Sequence, residues 1–375
     1  ATALLAMGSA CTRKPERTIV SLAEQPEYQK PGIPLHYAST WTEGSWPYGI
    51  MVKAVDGRPV KIEGLPDHPL NQGRSNAWMQ ASLLSLYDPK RLHTPVVDGA
   101  ESTWEAADAR VIAALKSASS VVVLSRSTLG PSERSLLERF RAAAPGARHL
   151  VYEGACDPSV RDALREVHGT DGIPMPDLSK ARVVLSLGAD FLGTDGESLG
   201  ATRDFAAGRV VDGDAQAAGL SRLYVVESAM TTTGSNADHR IPLKPSRLQA
   251  FAVAVLDALG GGTPQDVPGD RKVFDALLKD LQANRGAAVV LAGDRQRPGL
   301  HAAAALLNAA LGAPGKTLAW NAEPPLLPVD PPGVIADALK AKPDVVVLLG
   351  VNPVYDFPGG GFAELLAGAK LAVGP

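Results

Sequence analysis

The sequence predicts an α/β protein in which a small N-terminal β-hairpin module precedes two doubly wound, parallel-sheet (Rossmann-like) units. Three observations support this fold class. Apolar and polar residues alternate on both sides of Asp56-Gly57, β-branched runs such as "SVVVLS" and "RVVLSLG" recur beyond residue 100, and amphipathic stretches such as "PSERSLLERFRAAA" separate those runs. Continuous apolar runs between amphipathic helices are typical of a parallel sheet that is covered on both faces.

Composition and charge exclude several classes of protein. The 375 residues are 45% hydrophobic and 21% charged, which is enough chain for more than one core. The formal net charge of -3 gives no electropositive field, so we expect no nucleic-acid partner. Two cysteines, Cys11 and Cys156, cannot supply the four thiolates of an iron–sulfur cluster, and the histidines show no metal-ligand spacing. We therefore expect no metal site and no catalytic residue in this segment.

The N-terminal 46 residues predict the remnant of an export signal followed by an extended arm. "ATALLAMGSAC" is small and apolar, and the Pro-rich stretch after it has no period of 2 or 3.6. Cys11 follows small residues, as in a lipoprotein signal, but Gly8 stands where such signals usually carry a leucine-like residue. Lipidation of Cys11 and a retained, buried N-terminal segment therefore both stay open.

The rest of the chain divides into three predicted domains. Residues 47–100 form the hairpin module, in which Asp56-Gly57 favours a tight turn. Residues 101–262 form a first α/β domain, and residues 263–375 form a second one after the linker "GGGTPQDVPGD". Within the module, "NAWMQASLLSLYDP" predicts a helix with one apolar face, made of Trp78, Ala81, Leu84 and Tyr87.

The loops after the predicted strands are candidate ligand sites, because open α/β sheets bind ligands at the carboxyl ends of their strands. Gly188 and Asp190 follow one strand, Glu227 ends another, and Asn352 and Pro353 lie in "LLGVNPVYDFP" after a third. None of these loops is a Gly-x-Gly-x-x-Gly fingerprint or a Walker phosphate loop, so an ordinary dinucleotide or ATP site is only weakly indicated. Glycine and aspartate also end strands and cap helices without any ligand, and that interpretation stays open.

Several segments together resemble the molybdopterin oxidoreductase family. In chain order they are "GIMVKAVDGRPVKIEGLPDHPLNQG", "LYDPKRLHTP", "RVVLSLGADF", "VVESAMTTTGSNADHRIPLKPSRLQAFAVAVL" and "PDVVVLLGVNPVYDFP". The resemblance extends over nearly the whole chain. It implies the first three of that family's four domains, with a molybdopterin oxidoreductase-like fold.

This chain departs from the family at the positions that hold cofactors. Cysteines that flank the hairpin in active members are replaced here by residues such as Thr40, Glu43, Tyr48 and Asn76. The carboxylate that commonly follows "IPLKP" and holds the guanine of the pterin dinucleotide is replaced by Ser246, Arg247 and Leu248. A leucine cannot accept the guanine hydrogen bonds. The departures imply that no cofactor binds in this segment and that the strand-end positions are vestigial.

One branch of the family has these features. The arm, the cysteine-free hairpin module and "VVLSLGADFLGT" resemble the large iron–sulfur subunit of alternative complex III, a bacterial membrane-bound assembly that oxidises quinol. The resemblance implies a non-catalytic scaffold, with iron–sulfur clusters in a downstream part of the full-length subunit. It implies integral membrane subunits and c-type cytochrome subunits as partners. It also implies a place on the periplasmic side of the bacterial inner membrane, either peripheral or anchored through the N-terminus.

Two other classes of protein stay open on the sequence alone. The first is the N-terminal part of a true molybdenum enzyme with a bis(pterin guanine dinucleotide) cofactor and an unusual, cluster-free N-terminal domain. The second is an unrelated nucleotide-binding α/β protein. Metal analysis separates the first from a scaffold, and a nucleotide retained at the strand ends would favour the second.

Overall fold

The computed structural model describes residues 30–43, 46–127, 129–154, 164–167, 169, 173–210, 219–321 and 328–374. The strands are β1 Leu35–Glu43, β2 Trp46–Val55, β3 Arg58–Gly64, β4 Val96–Val97, β5 Ala100–Glu101, β6 Val121–Ser125, β7 Ala147–Val151, β8 Ile173–Pro176, β9 Val183–Leu187, β10 Arg222–Glu227, β11 His239–Pro242, β12 Ala288–Ala292, β13 Leu318–Asn321, β14 Val345–Leu349 and β15 Leu371–Val373.

The helices are α1 Ala77–Ser82, α2 Trp104–Ser117, α3 Pro131–Ala143, α4 Ser198–Ala207, α5 Thr232–Ser235, α6 Leu248–Leu259, α7 Arg271–Ala283, α8 Pro298–Leu311, α9 Pro332–Lys340, α10 Pro353–Asp356 and α11 Phe362–Leu366. Short 3₁₀ turns cover Leu83–Tyr87, Leu178–Lys180 and Pro245–Arg247. In the part of the chain that is described, no helix is both long and apolar enough to cross a bilayer.

The N-terminal module is an antiparallel sheet of β1, β2 and β3. The predicted hairpin turn is confirmed, because Asp56 and Gly57 both adopt positive φ angles, of 49° and 75°, as a tight hairpin turn requires. The described end of the predicted arm is extended, and residues Leu35–Glu43 of it form a strand of the module that pairs with β2 along its whole length. Backbone hydrogen bonds hold this strand while most of its side chains stay exposed, so its sequence carries no alternation. Cys11 lies outside the described residues.

Helix α1 packs against the hairpin sheet. Asn76 caps its N-terminus by accepting a hydrogen bond from Met79 N at 2.9 Å, and the helix continues into a 3₁₀ turn that ends before Asp88. Met79 is fully buried against Tyr48, Ile50 and Ile62. The apolar face that the sequence predicts is therefore not the face that packs inward.

Two four-stranded parallel sheets form the rest of the core, in the orders β11-β10-β9-β12 and β15-β14-β6-β7. The strand predictions at β6, β7, β9 and β10 are confirmed. In the first sheet, Leu185 packs with Phe251 of α6 and Phe274 of α7 on one face, whereas Val184 packs with Phe205 of α4 on the other. Both faces are covered, which explains the continuous apolar runs.

The prediction of two tandem units is wrong in the way it groups the strands. β12, which belongs to the predicted second unit, pairs with β9 in the first sheet, and β14 of the same unit pairs with β6. In chain order, β6 and β7 belong to the second sheet, β9 to β12 form the first sheet, and β14 and β15 complete the second sheet. An apolar run predicts a buried strand but says nothing about which distant strand lies beside it, because buried parallel strands have similar sequences.

Candidate functional site at the strand ends

The carboxyl end of β9 lies close to the loop after β12 and to the start of α6. Gly188 has a φ of 63°. This positive φ favours glycine, and a Cβ at this position would lie 2.6 Å from Gln296 Nε2 and 3.3 Å from Leu248 Cδ1. Leu248 is 2% exposed and belongs to the main core. The end of β9 is thus occupied by side chains of the same chain.

Asp190 ties the loop after β9 to helix α5. Its Oδ1 atom accepts hydrogen bonds from Thr233 N and Thr233 Oγ1, both at 2.9 Å. Its backbone N donates to Asp195 Oδ2 at 3.0 Å. Thr233 Oγ1 in turn accepts from Leu192 N at 3.0 Å. The Asp190 carboxylate therefore links the loop after β9 to the helix that follows β10.

Glu227, at the end of β10, is 3% exposed and fully engaged with its neighbours. It accepts hydrogen bonds from Thr231 Oγ1 at 2.7 Å and from Arg240 Nε at 2.6 Å, and a longer one from Thr231 N at 3.3 Å. A buried carboxylate needs such partners, because an isolated buried charge is very costly. Glu227 therefore holds the turn into α5 and the edge strand β11 together.

Further carboxylates line the loops after β9 and β12. Asp294 Oδ2 accepts a hydrogen bond from Gly196 N at 2.7 Å, and both oxygens of Glu197 accept from Gly200 N. Desolvation by the surrounding loops raises the pKa of Asp294, although the residue is exposed at the surface; the hydrogen bond from Gly196 opposes this shift and the nearby Asp195 carboxylate adds to it. Burial also raises the pKa of Glu197. No group of three His, Cys, Asp or Glu side chains arranged to hold a metal ion occurs in the described ranges.

We expect the variant Asp294→Asn to be slightly more stable than the wild type near neutral pH, with a small difference because Asp294 is exposed and solvent screens its charge. The folded chain holds the Asp294 proton more tightly than the unfolded chain does, so ionisation of this group destabilises the fold as pH rises through the folded-state pKa. The asparagine keeps an acceptor for Gly196 N and removes the charge. Urea denaturation over a range of pH should show the difference shrinking as the solution becomes acidic; a difference that grows toward acid would contradict this prediction.

A second strand-end region lies at the carboxyl ends of β6, β7 and β14. A cleft of about 420 Å³ there is lined by Arg126, Tyr152, Glu153, Asn352 and Asp356, among other residues. The Tyr152 hydroxyl donates to Asp356 Oδ1 at 2.8 Å, and Ser127 Oγ donates to Glu153 Oε1 at 2.6 Å. Arg126 Nη2 reaches both oxygens of Glu133, at 2.9 and 3.0 Å. The charged groups that line this cleft are therefore bound to protein partners.

The structure places the predicted site residues at two separate sheet edges. Gly188, Asp190 and Glu227 lie at the end of the first sheet, whereas Asn352 lines the cleft of the second. Pro353 is the first residue of α10 and is buried. The Asn352 side chain makes no hydrogen bond to another described residue. Sequence reasoning missed the partners that engage the carboxylates, among them Thr233 and Arg240, and no local pattern marks them.

Comparison with known proteins supports the fold. No protein-family model matches the chain. It is 26% identical over 371 residues to the menaquinone reductase molybdopterin-binding-like subunit of Nitratidesulfovibrio vulgaris, an alignment that covers 85% of this chain and 52% of that protein. The chain thus spans about half the length of this curated relative.

A solved structure gives the same result for the fold. Acetylene hydratase from Pelobacter acetylenicus is similar with a TM-score of 0.61 over 88% of this chain and 58% of its own, at 12% identity. The arrangement of an antiparallel N-terminal sheet in front of parallel sheets is therefore a molybdopterin oxidoreductase-like fold. At this identity the likeness concerns the fold alone.

Proposed function

We propose that this chain is a cofactor-free, molybdopterin oxidoreductase-like scaffold region of a quinol-oxidising respiratory complex of the alternative complex III type. The relative from Nitratidesulfovibrio vulgaris supports a quinone-linked complex of several subunits, because its name describes a subunit of a menaquinone reductase that is molybdopterin-binding-like. The chain covers about half of that relative, so the activity of the whole assembly is part of the proposal.

The observation that carries this proposal is that the polar groups at the strand ends already form hydrogen bonds to other side chains of the chain. A pterin guanine dinucleotide needs free donors and acceptors at the carboxyl ends of the strands. Thr233 engages Asp190, and Arg240 engages the buried Glu227. Leu248, which has no polar side-chain atom, lies beside Gly188. The residues present do not fit the guanine and phosphate groups of that cofactor.

The N-terminal module also lacks the residues for a cluster. Tyr48 is buried in the module core, and its hydroxyl donates a hydrogen bond to the Glu197 carboxylate. Asn76 caps helix α1. Two of the positions that hold cysteines in active family members therefore stabilise the fold here. A tyrosine that links the module to the loop after β9 is consistent with a rigid support.

In this proposal the chain binds neighbouring subunits and takes no part in the redox chemistry. Electrons from quinol pass through iron–sulfur clusters in a downstream part of the full-length subunit to c-type cytochromes. The partners are integral membrane quinol-oxidising subunits and c-type cytochrome subunits. The place of the chain is the periplasmic side of the bacterial inner membrane, peripheral or anchored through the N-terminus.

We expect full-length protein purified from its native membranes to contain no molybdenum, no tungsten and no pterin. Elemental analysis by mass spectrometry and the fluorescence of oxidised pterin measure these directly. The same preparation should contain c-type haem and membrane subunits, and should reduce cytochrome c with quinol. Stoichiometric molybdenum or tungsten would overturn the cofactor-free part of the proposal, and a metal-free protein that purifies without partner subunits would overturn the assignment to a complex.

A further inference from the structure

The apolar face of α1 and the 3₁₀ turn after it points to solvent. Trp78, Ala81, Leu84 and Tyr87 follow one another at intervals of three residues, which places them on one side of this short helical segment. Trp78 is 63% exposed, Leu84 71% and Tyr87 53%. Met79, on the opposite side, makes the contact with the core. We call these four residues the outer stripe.

Cationic side chains border the outer stripe. The Tyr87 hydroxyl donates to Pro59 O, so one end of the stripe lies against the start of β3, next to the exposed Arg58. Lys90 and Arg91, three and four residues after Tyr87, are also exposed. Among the described residues none of these three cations has an ion-pair partner. The one acid between residues 77 and 92 is Asp88, which accepts a hydrogen bond from Lys90 N at 2.8 Å.

We propose that the outer stripe docks onto the surface of an anionic lipid bilayer. A tryptophan, a tyrosine and a leucine on one side of a helical segment suit the boundary between headgroups and acyl chains. The charge supports lipid as the occupant, because cations without fixed internal partners complement the diffuse negative field of phosphate headgroups. This inference stands on the geometry of the module and does not depend on the proposed function.

The test measures binding of the full-length protein to vesicles by sedimentation. Wild-type protein should bind vesicles with about one third phosphatidylglycerol in phosphatidylcholine more tightly than vesicles of phosphatidylcholine alone. The double variant Lys90→Glu with Arg91→Glu should lose at least about fivefold in binding per removed cation on the anionic vesicles. Leu84→Ser and Trp78→Ser should lower binding to both kinds of vesicle, because they remove inserted apolar surface.

Matched variants elsewhere control for charge and exposed apolar area. Lys272→Glu with Lys279→Glu changes the net charge equally on the exposed side of α7 and should leave binding unchanged. Tyr355→Ser removes another highly exposed ring, on α10, and should also leave vesicle binding unchanged. Absence of a preference for anionic vesicles, or equal binding by the Lys90/Arg91 and Lys272/Lys279 variants, would overturn the proposal. If the outer-stripe variants bound vesicles as the wild type does but no longer purified with a partner subunit, the stripe would be a protein interface instead.

Discussion

Replacement of Glu227 by alanine is expected to lower the free energy of unfolding by about 3 kcal/mol. The wild-type carboxylate is buried and accepts hydrogen bonds from Thr231 and Arg240. Without it, the Arg240 side chain, which is 22% exposed, keeps its charge and loses its counter-ion. The donors of Thr231 also lose their acceptor at the start of α5. Urea denaturation followed by circular dichroism near neutral pH measures the loss.

An exposed ion pair supplies the control for this change. Arg271 and Asp275 lie four residues apart on α7, and both side chains are more than half exposed. Asp275→Ala should therefore cost less than about 1 kcal/mol. If Glu227→Ala were as mild as Asp275→Ala, the carboxylate would not be holding the strand end together. It would then be available for a ligand, contrary to the scaffold proposal.

The strands of the parallel sheets are predictable from the sequence because they are apolar on both faces. Leu185 and Val184 pack into different clusters on opposite sides of the sheet, so the run shows no alternation. The order of the strands is not predictable in the same way. Val345 lies beside Val121, more than two hundred residues earlier in the chain, and no local pattern records that pairing.

The position of the candidate site is predictable from the sequence, but whether its carboxylates are free to bind a ligand is not. Asp190 follows β9 and Glu227 ends β10, as the sequence predicts, because a polar residue after an apolar run marks the sheet edge. Whether such a carboxylate is free depends on partners that come from other turns. Thr233 lies 43 positions from Asp190, and Arg240 lies 13 positions from Glu227. These contacts follow from the fold and not from spacing.

The outer stripe illustrates a different limit of sequence reasoning. Periodicity finds the apolar face of α1 but not the direction in which that face points, because a stripe of Trp, Leu and Tyr is typical of a core-facing helix. Here Met79 alone supplies the buried contact of the helix. The sequence does, by contrast, indicate the positions of Tyr48 and Leu248 within the resemblance, since Tyr48 directly precedes one of the resembling segments and Leu248 lies inside another.

Replacement of Leu248 by aspartate is expected to lower the free energy of unfolding by about 4 kcal/mol near neutral pH. Leu248 packs in the main core, and its Cδ1 atom lies close to Gly188. The variant loses this packing and places a carboxylate in a position that is 2% exposed in the wild type. Burial raises the pKa of such a carboxyl, so the loss should shrink as pH falls. Leu248→Asn, which loses the same packing without a titratable group, should show no such recovery.

The same variant also distinguishes the scaffold from a cofactor-binding fold. The sequence resemblance implies a guanine-holding carboxylate near this point, so an aspartate introduced at a functional strand end would gain partners when a guanine nucleotide is added. Ligands that bind only the folded state raise the free energy of unfolding. We expect guanosine diphosphate to stabilise neither the wild type nor Leu248→Asp, because the side chains of Gln296 and Leu248 lie against Gly188 at the end of β9 and the neighbouring carboxylates are engaged by the chain itself. Stabilisation of the variant by the nucleotide would show that the strand end is still open to the cofactor.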